Sequence, residues 1–297
     1  MESITHIKTH VALIAVSLIY GVSYSVIKTI TPEFVAPFGF IVYRVFFAGI
    51  GMWILALGKI DPIDWHSDGF RLLACAFSGV AINQLLFFKG ISMTTAVHGG
   101  LLMTLIPVFV FILSKIMLKE VLGSVRLIGL TIAFLGTLMI VFSSGADLTD
   151  GDRLGDMMLV ANSFSFALYL ILAKPLMAKY HALTVTKWVF LFAFVMVLPV
   201  GYQEAQEAQW SRMGFPEMIG LIYVILFGTL IVYLLNNWAL KRAKSSTVGI
   251  YVYTQPVFAT IVALFFYGEL FTFIEGIATV FIFGGVYLVT SFVKSRR

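Results

Sequence analysis

Charge is scarce in this chain. Asp, Glu, Lys and Arg make up 12% of its 297 residues, about half the share of a soluble domain. So little charge cannot solvate an ordinary surface, and the 60% hydrophobic content places the chain in the membrane class. Cysteine is all but missing: Cys75 stands alone, which excludes an internal disulfide and argues against a cysteine-built metal site. No Gly-rich loop ends in Lys-Ser or Lys-Thr, so nothing is shaped to cradle the phosphates of ATP. His-Glu-x-x-His and Gly-x-Ser-x-Gly are absent too, and no enzyme is expected. The formal charge of +5 is modest, and the basic residues form no patch for nucleic acid. The acidic run Asp147-Leu148-Thr149-Asp150-Gly151-Asp152 lacks the alternating ligands and final Glu of a calcium loop and reads as a linker. No cofactor and no metal are expected. No small-residue cleavage site closes the first apolar stretch, so a cleavable signal is not expected either.

What fills the chain is apolar sequence in lengths of one bilayer. A hydrocarbon core about 30 Å thick takes about 20 residues of helix. Ten such runs occur, near 9–30, 36–57, 70–91, 95–118, 124–143, 155–175, 183–202, 215–239, 246–267 and 272–293. The joints between them are short. With the N-terminus in the cytoplasm, fifteen Lys and Arg fall on the cytoplasmic side and four (Lys28, Lys89, Arg153, Arg212) on the other. The excess of basic residues inside predicts an integral plasma (inner) membrane protein with both termini cytoplasmic.

The runs also repeat. Pro107-Val108-Phe109 is followed by Glu120, and Pro256-Val257-Phe258 by Glu269, at the same spacing. The same offset of 149 residues pairs Gly79 with Gly228, Gly100 with Gly249, Phe134 with Phe283 and Gly136 with Gly285. Spans one and six match at an offset of 146: Leu13 with Leu159, Ser17 with Ser163, Lys28 with Lys174. A fixed offset over so long a stretch marks internal duplication. Five spans is an odd number, so the second copy enters the bilayer from the opposite side. The predicted fold class is therefore an all-α membrane protein of ten transmembrane helices in two inverted five-helix repeats. Residues 1–143 and 156–297 are the copies, and 144–155 an external linker. Inverted repeats are a common construction of secondary transporters.

Polar residues at membrane depth are costly and seldom idle. Span one offers Tyr20 and Tyr24, span three Gln84 and Phe87, span four His98, span six Asn162, Ser165 and Tyr169, span eight Tyr233 and Asn237, span nine Tyr253 and Gln255. A central cavity among spans one, three, four, six, eight and nine would gather them, with amides and hydroxyls as neutral partners and aromatic rings as walls. Such a chamber suits a small amphipathic organic solute. Each residue has an alternative use as a bond between helices, the better reading for Asn162 and Ser165. Pro107 and Pro256 sit mid-span, where each removes a helical hydrogen bond; they read as hinges or static bends. Glu120 and Glu269 suit the positive ends of spans five and ten. Arg44 is the one strong charge inside a span, able to bond between helices, snorkel or face the cavity. Gly129, Gly136, Gly284 and Gly285 read as close-packing positions. No Asp or Glu lies mid-span, which points away from proton coupling through a buried acid.

Ten spans in two copies, Tyr20-Gly21 and Lys28 closing span one, Arg44 with Ala48 in span two, and the Pro-Val…Glu pairs ending each half resemble the drug/metabolite transporter superfamily, and within it the EamA family of ten-helix carriers. Tyr20 stands where that family usually has tryptophan. The resemblance covers essentially the whole chain. It implies export or exchange of small metabolites, often amino acids, by alternating access around a central cavity. The superfamily also holds sugar-phosphate and nucleotide-sugar exchangers, which need cations at mid-depth; no paired lysines stand there. Partners implied are a small-molecule substrate and the lipid bilayer, and the oligomeric state stays open.

Overall fold

The computed structural model describes residues 2–57, 61–93, 102–121, 123–143, 153–267 and 272–291, and among them every regular element is helical. Lipid dictates this: without water to bond, each backbone N–H and C=O must pair within its own segment. The helices are α1 (Glu2–Lys28), α2 (Pro37–Leu55), α3 (Trp65–Met93), α4 (Leu105–Met117), α5 (Ser124–Ser143), α6 (Arg153–Lys179), α7 (Ala182–Gln206) and α8 (Phe215–Arg242). Next, α9 runs from Ser245–Ile250 through a 3-10 turn at Tyr251–Thr254 into Gln255–Tyr267, and α10 is Phe273–Ser291. Among the described residues, seven stretches, in α1, α2, α3, α6, α7, α8 and α10, are long and apolar enough to cross a membrane; α4 and α5 supply shorter apolar helices. Phe70, Phe265 and Phe273 stand 85%, 78% and 84% exposed, side chains that hydrocarbon solvates and water does not.

Packing follows a pattern. The main partnerships are α5 with α10, α2 with α7, α3 with α6, α1 with α8, α4 with α6 and α1 with α9. Exchanging each helix for the one five places along leaves this set unchanged. Two π-helical turns interrupt the long rods, Phe77–Ala81 in α3 and Leu226–Ile231 in α8, and their first residues are 149 apart. Such turns displace the regular backbone ladder, and side chains take up the carbonyls there. Tyr233 donates to the Gly79 carbonyl at 2.8 Å and Ser165 to that of Ser78 at 2.7 Å. Gly79 lies against Tyr169 and Gly228 against Ser23; Ser23 and Tyr169 are themselves 146 residues apart.

Small residues let α5 and α10 meet. A Cβ on Gly129 would come within 2.8 Å of the Gly285 carbonyl, and one on Gly136 within 2.8 Å of the Ala278 carbonyl. Gly284 does not share this role: nothing lies within 4 Å of its Cβ position, because it faces outward.

The helix ends correct one further expectation and refine another. Pro107 and Pro256 each stand within the first three residues of an α-helical segment, and a 3-10 turn directly precedes Gln255-Pro256. The regular ladder is interrupted just before each proline, on the side where its N–H is missing. Glu120 does not serve its own α5. It accepts from the Ser245 N–H at 2.9 Å and the Ser246 hydroxyl at 2.7 Å, and so caps α9. Glu204 does the same for α2, accepting from Phe38 and Gly39 N–H at 2.6 and 3.1 Å. Lys174 meets the far end of α8 with donations to the Leu240 and Ala243 carbonyls, both at 2.5 Å, where the helix dipole favours a cation. Glu269 and the acidic run 147–152 lie outside the described residues.

Candidate functional site

A cavity lies among α1, α2, α3, α4, α6, α8 and α9, with about 680 Å³ of atom-free space including the part open to solvent. Of the expected residues, Tyr20, Gln84, Phe87, Tyr233 and Gln255 line it, together with Asn83, Asn162 and Phe166. The wall pairs positions separated by the two sequence offsets: Tyr20 with Phe166, Gln84 with Tyr233, Met103 with Val252 and Ile106 with Gln255.

Arg44 also lines this cavity and an adjoining void shared with Gln84, Thr229 and Tyr233. It is 6% exposed. Its Nε donates to Thr229 Oγ1 at 3.1 Å and its Nη1 to Gln84 Oε1 at 3.1 Å. The Phe40 ring covers one face, with its centroid 5.6 Å from Cζ. No Asp or Glu is among the described lining residues. Asn83 and Asn162 tie α3 to α6 while forming wall: each side-chain amide donates to the other's backbone carbonyl. Bonding and lining are thus combined in Asn162, whereas Ser165 only bonds, to Ser78.

A second, smaller space of about 290 Å³ lies beside the first, lined in part by Ser17, Asn236, Val248 and Tyr251. Tyr20, Phe166, Val252 and Gln255 line both spaces and form the partition between them. On the far side of the partition, His10 Nδ1 and the Tyr251 hydroxyl are hydrogen-bonded at 2.6 Å, and Ser17 donates to the Tyr251 carbonyl at 3.0 Å.

Three expected residues stand away from the cavity wall. Tyr169 donates to Asn237 Oδ1 at 2.8 Å, and Asn237 Nδ2 donates to Thr186 Oγ1 at 2.8 Å, a buried chain joining α6, α8 and α7. Tyr169 is displaced from the wall because the bare Gly79 leaves room for its ring. Tyr253 is 1% exposed in the 3-10 turn, its ring 6.3 Å from that of Phe134 in α5, and its hydroxyl has no hydrogen-bond partner among the described residues. The side chain of Tyr24 and the whole of His98 lie outside what the structure describes.

Sequence reasoning passed over Lys187 as a cytoplasmic-end residue. It is 1% exposed, with its ammonium 4.5 Å from the Trp53 ring centroid, in a cluster with Trp188 and Trp65. Two aromatic residues at the ends of neighbouring helices were the available signal.

A helical bundle with apolar outer faces and a polar, aromatic-walled chamber inside defines an integral membrane transporter. The family model described as "EamA-like transporter family" matches the chain twice, over residues 7–142 and 153–291. The chain belongs to the EamA-like transporter family. It is 28% identical over 239 residues to the uncharacterized transporter YetK of Bacillus subtilis, covering 80% of this chain and 72% of the relative. An uncharacterized transporter of Archaeoglobus fulgidus is 27% identical over 296 residues, covering 96% and 98%. A WAT1-related protein of Arabidopsis thaliana is 22% identical, covering 80% and 73%. A crystal structure superposes with a TM-score of 0.79 over 99% of each chain at 16% identity, a likeness of fold.

Proposed function

We propose that the protein is a secondary transporter that moves a small, amino-acid-like organic metabolite out of the cell by alternating access. In this reading two five-helix copies, 1–143 and 156–297, lie inverted in the inner membrane with both chain ends in the cytoplasm, and rock about the cavity between them. One observation carries it: positions related by the sequence duplication, such as Gln84 and Tyr233 or Tyr20 and Phe166, line a single chamber. The matching π turns, the double family match and the exchange-symmetric helix contacts support it. The spaces on either side of the Tyr20–Phe166 partition suit a substrate path closed at one end.

The test is counterflow in proteoliposomes. Preloaded unlabelled amino acids should stimulate saturable uptake of labelled ones, at turnover rates below those of a channel. Flux that neither saturates nor shows counterflow overturns the carrier reading in favour of a channel. No carboxylate lines the cavity among the described residues, so an imposed pH gradient should drive no uphill accumulation. For topology, single cysteines at Thr149 and Gln209 in a Cys75→Ser background should react with an impermeant maleimide outside intact cells. Protection of Thr149→Cys in intact cells, with reaction only after lysis, removes the inverted arrangement.

A further inference from the structure

We infer that the cavity receives its substrate by a carboxylate group seated on the guanidinium of Arg44. This rests on the reading of the cavity as the substrate site and adds the charge that enters it. A guanidinium carries five N–H donors and stays protonated in proteins. One N–H at Nε goes to Thr229 and one at Nη1 to Gln84; the others meet no acceptor among the described residues. Both acceptors are neutral oxygens. They hold the fork in one orientation without cancelling its charge.

Burial makes that charge consequential. Arg44 is 6% exposed, beside Phe40 and Tyr233, and a buried charge is ordinarily paired or functional. Among the described residues, no Asp or Glu lines either space it borders. The missing counter-charge is therefore what a ligand supplies. One guanidinium fork matches one planar carboxylate through two parallel N–H···O bonds. A phosphate dianion would leave excess negative charge, since no Lys and no second Arg stands among the described lining residues. The rest of the wall, the Phe87 and Phe166 rings and the Asn83, Asn162 and Gln255 amides, accommodates an apolar body, or an ammonium against an aromatic face.

The experiment follows thermal unfolding of the purified chain against matched ligands differing only in the anionic group. The panel holds free amino acids with their primary amides, small monocarboxylates with their methyl esters, and inorganic phosphate. A ligand of the folded state raises the midpoint. Acids should stabilise the wild type while amides and esters do not. Arg44→Gln should weaken the apparent affinity for the acids on the order of tenfold or more, and Arg44→Lys should fall between. Equal stabilisation by acid and amide overturns the inference. So do unchanged affinity in Arg44→Gln, the absence of any acid that stabilises, and stabilisation by phosphate in their place. Should Arg44→Gln fail to fold, the acid–amide comparison in the wild type decides. Proteoliposomes separate this inference from the carrier reading. Counterflow without preference for acids removes the role of Arg44 and keeps the carrier. Acid binding without counterflow keeps Arg44 and removes the carrier.

Discussion

Asn83 of α3 and Asn162 of α6 hold each other's backbone: Asn83 Nδ2 donates to the Asn162 carbonyl at 3.2 Å, and Asn162 Nδ2 to the Asn83 carbonyl at 2.6 Å. Both side chains are buried, so neither bond is exchanged for water. Interhelix bonds of this kind contribute about 1 kcal/mol in membranes. Asn83→Leu and Asn162→Leu should each lower stability by roughly that amount. The double variant should lose less than the two singles together, because both bonds depend on one helix separation. Unfolding of purified protein in mixed micelles measures this. Strict additivity would show that the two amides act independently.

The α5–α10 contact sets a sharper contrast. A Cβ at Gly285 would lie 2.4 Å from the Gly129 carbonyl oxygen and 2.6 Å from the Ala133 nitrogen, both backbone atoms that no rotamer change can move. Gly285→Ala should therefore cost about 1–3 kcal/mol through overpacking. Its neighbour Gly284 has nothing within 4 Å, and Gly284→Ala should be neutral or gain up to about 1 kcal/mol from reduced backbone entropy. A thermal midpoint for each variant is enough; equal effects would refute the close approach at Gly285.

The helices were legible in the sequence because the bilayer demands long apolar runs and tolerates little else. Interruptions were not: no residue type announces a π turn, although Gly79 and Gly228, already paired by the repeat, sit inside both. Part of the cavity was legible, since Tyr20, Gln84, Phe87, Tyr233 and Gln255 are polar or aromatic at mid-span and do line it. Asn237 has the same character and lies elsewhere, because its partners Tyr169 and Thr186 come from helices remote in sequence. Arg44 posed the reverse difficulty. A lone cation in a span can snorkel to the interface, and only the positions of Thr229 and Gln84 show it held inward.

Outside the apolar spans, Asp64 offers a test by pH. It caps α3, with Oδ1 accepting from the Ser67 N–H at 3.3 Å and Oδ2 lying 3.7 Å from Lys179 Nζ. Hydrogen bonds from Ser67, with a smaller attraction from Lys179, hold its carboxyl below the ordinary aspartate value of about 4. The folded state thus favours the carboxylate. Its stabilisation is complete above the unfolded value and fades as pH falls through the lower folded one. Asp64→Ala should be less stable than wild type at neutral pH, and the gap should close in acid. Asp64→Asn keeps a capping acceptor and should show a smaller gap with little pH dependence. Unfolding midpoints across an acid titration decide it; a gap for Asp64→Ala that stays constant into acid would sink the assignment.

The partition between the two internal spaces predicts a change in transport mode. Phe166 and Tyr20, with Val252 and Gln255, are the side chains common to both spaces, and Phe166 is the bulkiest of the four that carries no polar group. Truncation to Ala removes most of a ring and should join the spaces of about 680 and 290 Å³. A carrier depends on never opening both sides at once, so the Phe166→Ala variant should leak: efflux into substrate-free medium should rise several-fold while stimulation by external substrate shrinks. Phe166→Leu, which keeps most of the apolar bulk, should stay close to wild type. The ratio of exchange to net efflux in proteoliposomes reads this directly. An unchanged ratio in the Ala variant, with folded protein confirmed by its unfolding midpoint, would mean that the seal lies elsewhere, with the His10–Tyr251 contact beyond the partition as the next place to cut.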